Sequence, residues 1–169
     1  MIIIKYTSLL LIFIITFLIG YFISKRYSNR VIELKELQIA LDIIENKIKF
    51  TYEPLKDIFI QMESLLKCNI SKIFKQISEN LKNDNVEKAF SKAIEGTKTN
   101  LLEEDLEILR NLSKLLGKTD KEGQVSQLEL TSTFIKTQIK KAEKEEEKNS
   151  KLYKTLGATV GLAFVIILV

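Results

Sequence analysis

The chain has 169 residues, of which 26 are lysine or arginine and 22 are aspartate or glutamate, so its formal net charge is +4. It contains no histidine, one cysteine and one proline. Without histidine, the commonest general base and metal ligand is absent, and neither a Ser-His-Asp nor a Cys-His catalytic arrangement can be built. A single cysteine excludes a disulfide framework within the chain, and the scarcity of proline and glycine favours helices.

The first apolar segment predicts a membrane-spanning helix over residues 1–24. No residue from Tyr6 to Ser24 is charged, and about 20 apolar residues are enough to cross a bilayer. A cleaved signal peptide, with Lys5 as its basic region, is the alternative. We favour an uncleaved anchor, because the apolar run is longer than a signal peptide needs and no small-x-small cleavage site precedes Lys25.

The second apolar segment occupies residues 155–169. A helix of about 15 residues is about 22 Å long, and it crosses the bilayer if preceding residues join it and Lys154 extends to the headgroups. A helix lying in the interface is the alternative. The stretch from Leu162 onward has no polar face to leave in water, so we expect a second spanning helix.

Basic residues flank both apolar segments on the side of the intervening chain. They are Lys25, Arg26 and Arg30 after the first segment, and Lys148, Lys151 and Lys154 before the second. By the positive-inside rule, residues 25–154 are therefore cytoplasmic and both termini lie across the membrane. Anionic lipid headgroups account for the basic excess as well as nucleic acid would, and we expect a membrane partner and no nucleic acid.

Apolar periodicity divides residues 25–154 into helices with one apolar stripe each. We predict an all-α fold, a single cytoplasmic bundle of about six helices between two transmembrane helices, with the first and last helices continuing into the membrane. Glu33 falls on the charged face of the first helix. The stripes assigned to the core are Leu34, Leu37, Leu41, Ile44 and Ile48; Leu55, Ile58, Phe59, Met62, Leu65 and Leu66; Ile70, Ile73, Phe74, Ile77 and Leu81; Val86, Ala89, Phe90 and Ala93; Leu102, Leu106, Leu109, Leu112 and Leu116; and Leu128, Phe134, Ile135, Ile139 and Ala142.

Four positions predict where helices begin or end. A break at Tyr52–Glu53 precedes a helix with Pro54 in its first turn. Gly96 closes the fourth helix, Gly117 adopts a left-handed conformation that ends the fifth, and Asp120 caps the sixth.

The candidate chemical groups indicate structure rather than catalysis. Glu103, Glu104 and Asp105 point in different directions around a helix, so we interpret them as a solvated face that offsets the helix dipole. Cys68 lies in the stretch Leu65-Leu66-Lys67-Cys68-Asn69-Ile70, and a buried small side chain is the favoured interpretation over a reactive thiol. We expect no catalytic residue, no metal site and no cofactor, although an enzyme with a carboxylate- or lysine-based site remains an alternative.

The chain resembles the stage III sporulation protein AB family from end to end. The residues that carry the resemblance are Gly20, Lys25, Arg26, Arg30, Leu34, Leu37, Ala40, Leu41, Glu45, Ile48, Pro54 and Leu55 at the front; Leu116, Gly117, Asp120, Gln124, Leu130 and Thr131 near the end; and Lys154, Leu156, Gly157, Gly161 and Leu162 in the last segment.

The resemblance implies a component of the channel complex that joins the mother cell to the engulfed forespore during endospore formation. The soluble part of the family is similar to the helical domain of the platform (F) protein of type II secretion machines, which faces a cytoplasmic ATPase. It implies a location in the outer forespore membrane, with the bundle in the mother-cell cytoplasm. Expected partners are other sporulation channel membrane proteins, that ATPase and, with one bundle where platform proteins usually have two, a second copy.

Two further sets of residues are candidates for contacts. Lys118, Asp120, Lys121 and Gln124 lie on the turn before the last helix, which carries polar groups that the core does not need, so we expect them to contact a partner. Gly157 and Gly161 have the GxxxG spacing that lets membrane helices approach closely. A membrane-anchored adaptor or signalling protein that binds a soluble partner is the alternative function.

Overall fold

A computed structural model describes residues 2–51 and 53–168, with side chains from Tyr6 onward. The side chain of Lys5, the last residue of the second predicted span (Val169) and the Tyr52 part of the predicted break lie outside this description. Six α-helices and no strand occur in the described chain. Their bounds are α1 Ile2–Phe50, α2 Leu55–Leu65, α3 Cys68–Asn80, α4 Val86–Gly96, α5 Glu103–Leu115 and α6 Lys121–Leu168.

The first and last helices, α1 and α6, are each long and apolar enough to cross a membrane. Only 17% of the apolar window of α1 and 6% of that of α6 are buried, whereas the core helix of a soluble protein would be mostly buried. The prediction of an all-α fold of six helices with a candidate span at each end is confirmed.

The chain forms two compact units. The paired-helix unit comprises Met1–Val31 and Lys141–Val169, and the bundle unit comprises Ile32–Lys140. Within the paired-helix unit α1 and α6 run antiparallel, since Gly20 lies against Gly157 and Arg30 against Glu145.

The core of the bundle unit is built on three phenylalanines from successive helices. The ring centroids of Phe59, Phe74 and Phe90 lie 5.6–6.4 Å apart, and the α2·α3, α3·α4 and α4·α5 pairs pack against one another. Edge-to-face and tilted contacts at such distances add to the apolar burial of each ring. Most of the predicted stripe residues are buried around them.

Three stripe assignments were wrong, because Leu65, Leu102 and Phe134 are between 44% and 51% exposed. Each lies beside a turn or on the outer edge of a stripe, where periodicity gives the same signal as a core position. Cys68 is also exposed, against the expectation of burial. Cys68 has a φ of 56° at the tight connection between α2 and α3. Its side chain lies outside the core, whereas that of Ile70, two residues later, is buried.

The helix boundaries follow the predicted signals closely. Gly117 has a φ of +81°, which confirms the left-handed end of α5, and the Asp120 carboxylate accepts a hydrogen bond of 2.9 Å from the Gly123 N–H, which confirms the cap of α6. Pro54 occupies the N-cap of α2 rather than its first turn. Asn85 caps α4 by accepting from the Lys88 N–H at 2.9 Å.

Candidate functional site

The turn from Leu116 to Gln124, here the α5–α6 turn, is held by its own side chains. The Gln124 side-chain oxygen accepts from the Gly117 N–H at 3.3 Å, and its amino group donates to the Thr119 carbonyl at 3.0 Å. Because Asp120 caps α6, two of the four predicted partner-binding residues already satisfy backbone groups of the turn. They hold the turn in one shape, and such preorganisation lowers the entropy cost of binding a partner.

The two lysines of the turn differ in setting. Lys118 is exposed and its ammonium donates to the Glu87 carboxylate of α4 at 2.9 Å, whereas Lys121 is half-buried. The Lys118 hydrogen bond lowers the pKa of Glu87 from its usual value. A lowered carboxyl pKa adds stability at neutral pH that is lost as the pH falls through it, and the contribution of an exposed pair is small.

An apolar groove lies beside the α5–α6 turn, between α5 and α6 within the bundle unit. It has a volume of about 360 Å³. Leu115, Leu130 and Phe134 line it with exposed fractions of 40%, 49% and 51%. Phe134 lines this groove and does not lie in the core, where its periodicity predicts it. The sequence signal for the groove is the four-residue spacing of Leu130 and Phe134, offset from that of Leu128 and Ile135.

A buried polar cluster centres on Glu33 in the bundle unit. Glu33 is 2% exposed, and its carboxylate accepts from the Asn69 side-chain amide, the Asn100 side-chain amide and the Asn100 backbone N–H, each at 2.7 Å. The assignment of Glu33 to the charged face was wrong, since the α3 start and the segment before α5 cover it. Three donors satisfy a buried carboxylate, so the cluster fixes where these segments dock on α1.

The acidic triplet at the start of α5 divides between solvent and interior. Glu103 and Glu104 are exposed, but Asp105 is fully buried and its carboxylate accepts from the Leu102 N–H at 2.9 Å. The interpretation as a wholly solvated face was therefore wrong for Asp105, whose carboxylate satisfies the N-cap backbone N–H of α5. Because Leu102 has no side-chain acceptor, this contact is one half of a capping box.

The glycines of the last segment lie in the contact between α1 and α6. A Cβ at Gly157 would stand 2.9 Å from the Thr16 carbonyl oxygen and 3.1 Å from the Gly20 Cα. A Cβ at Gly161 would stand 2.9 Å from the ring of Phe13. At Gly157 the neighbours are backbone atoms, so the two backbones approach as closely as glycine allows, whereas at Gly161 the neighbours are the side chains of Phe13 and Thr16.

Polar and aromatic contacts join α1 and α6 next to the glycines, on the side away from the apolar segments. The Ser24 and Ser150 hydroxyls are 2.7 Å apart, the Tyr27 and Tyr153 rings stack at 5.9 Å, and the buried Arg30 pairs with Glu145 at 2.6 Å. Arg30 therefore pairs with a carboxylate inside the protein. The other basic residues that flank the two apolar segments are the ones on which the predicted orientation depends.

None of the described residues forms a group of three or more histidine, cysteine or acidic side chains that could hold a metal ion. The bundle unit has a turn held by its own side chains and an exposed apolar groove, and the paired-helix unit has a close helix contact. These features define an all-α protein with two candidate membrane spans and a helical bundle.

Comparisons with known proteins identify the family. The model of the family described as Stage III sporulation protein AB matches residues 5–169. The Stage III sporulation protein AB of Bacillus subtilis (strain 168) is 26% identical over 153 residues, which cover 88% of this chain and 90% of the relative. The chain belongs to the stage III sporulation protein AB family.

A solved structure supports the fold. The structure titled Stage III sporulation protein AB (SpoIIIAB) aligns with a TM-score of 0.64 at 21% identity, over 71% of this chain and 98% of the solved one. The predicted family is confirmed by sequence, and the helical architecture agrees with that of a solved relative.

Proposed function

We propose that this protein is the membrane platform component of the mother cell–forespore channel complex, on which other channel membrane proteins and a cytoplasmic ATPase dock. Residues 1–24 and 155–169 are the spans in the outer forespore membrane, and residues 25–154 lie in the mother-cell cytoplasm. Membership of a sporulation family supports this role. The proposal includes no catalytic step and no cofactor.

One observation carries the proposal. Helices α1 and α6 each combine a candidate span with a segment of the bundle unit, without a break in the helix. A bundle whose first and last helices both continue into candidate spans is attached to the membrane twice. Such double attachment suits a docking platform better than a freely diffusing protein.

The proposed docking surface for the ATPase is the α5–α6 turn together with the apolar groove. The groove supplies an apolar centre with an aromatic anchor, Phe134, and the turn supplies a charged rim through Lys118 and Lys121. Protein interfaces combine an apolar core with such a polar rim, and aromatic anchors contribute much of the binding energy.

The test replaces the anchor with a charge in the full chain. Phe134→Lys should weaken copurification of the ATPase at least about tenfold, because a lysine in an apolar contact must be desolvated. Ile60→Lys is the matched control, since Ile60 and Phe134 are both 51% exposed but Ile60 lies on α2. Equal binding by both variants would place the ATPase docking site elsewhere on the bundle.

The channel role and the adaptor alternative differ in phenotype. Deletion should abolish sporulation and leave vegetative growth normal; a growth defect would favour an adaptor with a different soluble partner. Crosslinking in sporulating cells, followed by identification of the captured proteins, tests the membrane partners and reports whether a second copy is among them.

A further inference from the structure

Five exposed cations surround the polar end of the α1–α6 pair, all within the paired-helix unit. This basic collar consists of Lys25, Arg26, Lys148, Lys151 and Lys154. No ion pair between described residues involves any of the five, in contrast to the buried Arg30. Their charges are therefore available to an external anion.

The contacts between the helices place the five cations at one level. The Ser24–Ser150 hydroxyl contact sets the two helices side by side, and Lys25 and Lys151 are the residues that follow each serine. At about 1.5 Å of rise per residue, the collar occupies a layer about 9 Å deep along the helix pair. The headgroup region of a bilayer leaflet is of similar depth, about 5–8 Å.

The surroundings of the collar favour an anionic lipid. On one side lie the apolar candidate spans, whose side chains are largely exposed. The stacked Tyr27 and Tyr153 stand at the boundary, where aromatic rings favour the headgroup layer. The nearest carboxylates are Glu145, which pairs with Arg30, and Glu146 and Glu147, which lie beyond Lys148 on the side away from the apolar segment.

We infer that the basic collar is a binding site for the phosphate headgroups of anionic phospholipids. Acyl chains of the same lipid would lie along the exposed apolar faces of the spans while its phosphate meets the lysines. This combination of apolar surface and phosphate binding is what distinguishes a lipid from free phosphate. The inference requires that the spans lie in a bilayer, and it is independent of which proteins dock on the bundle.

The test uses the full chain purified in detergent and exposed to equal amounts of phosphatidylglycerol and phosphatidylcholine. Native mass spectrometry then counts the retained lipids. We expect phosphatidylglycerol to be enriched about fivefold or more, the ratio that corresponds to one basic residue close to an anionic surface. Replacing all five collar residues with glutamine should abolish the enrichment.

A matched variant distinguishes binding at the basic collar from a general effect of the net charge of the protein. It neutralises five exposed lysines of the bundle unit, and these are Lys49, Lys56, Lys82, Lys98 and Lys136. We expect this variant to keep the preference for phosphatidylglycerol. A collar variant that retains the enrichment, or a bundle variant that loses it equally, would overturn the inference.

Two further arms keep the test decisive. Circular dichroism confirms that each variant is helical, and a collar variant with Lys→Arg changes at Lys25, Lys148, Lys151 and Lys154 should retain the preference, because it keeps the charge. Inorganic phosphate at millimolar concentration should not displace the bound lipid. If phosphate does displace it, the collar binds anions without recognising the lipid, and the proposal is contradicted. Sporulation and ATPase binding are measured separately, so failure here leaves the proposed platform role untouched.

Discussion

Gly117 is required where α5 ends because its φ is +81°. An added Cβ would also lie 3.3 Å from Leu55 and 3.8 Å from Val86. Gly117→Val should lower the free energy of unfolding by more than about 1 kcal/mol, since a β-branched residue resists positive φ. Thermal unfolding of the full chain in detergent measures the change.

Gly96→Val provides the control for this prediction. Gly96 is the last residue of α4 and its φ is not positive. An added Cβ would meet only the end of the Gln76 side chain, which can rotate away. Equal melting temperatures for the Gly117 and Gly96 variants would count against the left-handed cap.

Glu33 links α1 to two other segments through three hydrogen bonds of 2.7 Å. Glu33→Gln keeps the shape of the side chain but replaces one acceptor oxygen with an amino group. That amino group then faces an N–H donor of Asn69 or Asn100, and neither group is satisfied. We expect a loss of about 2 kcal/mol in unfolding free energy, the cost of unsatisfied buried groups. Chemical denaturation of the full chain in detergent measures it.

The matched control for Glu33 is Glu95→Gln on the exposed surface of α4. An exposed substitution of this kind changes stability by less than about 0.5 kcal/mol. If both variants unfold alike, the buried cluster does not contribute to the stability of the bundle.

At the scale of elements, the pairing of α1 with α6 depends on glycine. Gly157→Leu should separate the helices, because its Cβ would lie 2.9 Å from the Thr16 carbonyl. Cysteines at positions 24 and 150 report the pairing, since the native hydroxyls are 2.7 Å apart. In a Cys68→Ser background we expect rapid oxidation of this cysteine pair, and at least about tenfold slower oxidation when Gly157→Leu is added.

Ala163→Leu is the control for the helix pairing. Ala163 is on the same candidate span but is exposed, so a leucine there meets no neighbour in the chain. Fast crosslinking should persist in this variant. Fast crosslinking in the Gly157 variant as well would show that the close glycine contact is not needed for pairing.

At the scale of the whole molecule, the exposed Cys68 reports the orientation of the bundle. It is the only cysteine of the chain and is accessible in the structure. In intact vegetative cells an impermeant maleimide should leave it unlabelled if residues 25–154 are cytoplasmic, as we propose from the basic residues that flank both candidate spans. Labelling should follow when the cells are lysed.

A cysteine appended after residue 169, in the Cys68→Ser chain, is the control for access to the outer side. It should be labelled in intact cells. Labelling of Cys68 itself in intact cells would reverse the proposed orientation and with it the mother-cell location of the bundle.

Local sequence patterns were sufficient to predict the helices and most of the residues at which they begin or end. A period of three to four residues identifies a helix and its apolar face, and glycine or aspartate at an end has a local cause, as at Gly117 and Asp120. The candidate spans follow from length and composition alone. The proposed docking surface was only partly predicted. Gln124 hydrogen-bonds within the turn, and Phe134 lines the apolar groove and is not part of the core.

The sequence by itself determined the fold class, the two candidate spans and the family, because these depend on composition, periodicity and residues in order along the chain. Only the tertiary structure decided which charges are buried. Glu33, Asp105 and Arg30 have the same local appearance as their exposed neighbours, yet each is less than 4% exposed. The physical reason is that a polar side chain becomes buried where a partner satisfies it, and the partners of Glu33 and Arg30 come from segments distant in sequence.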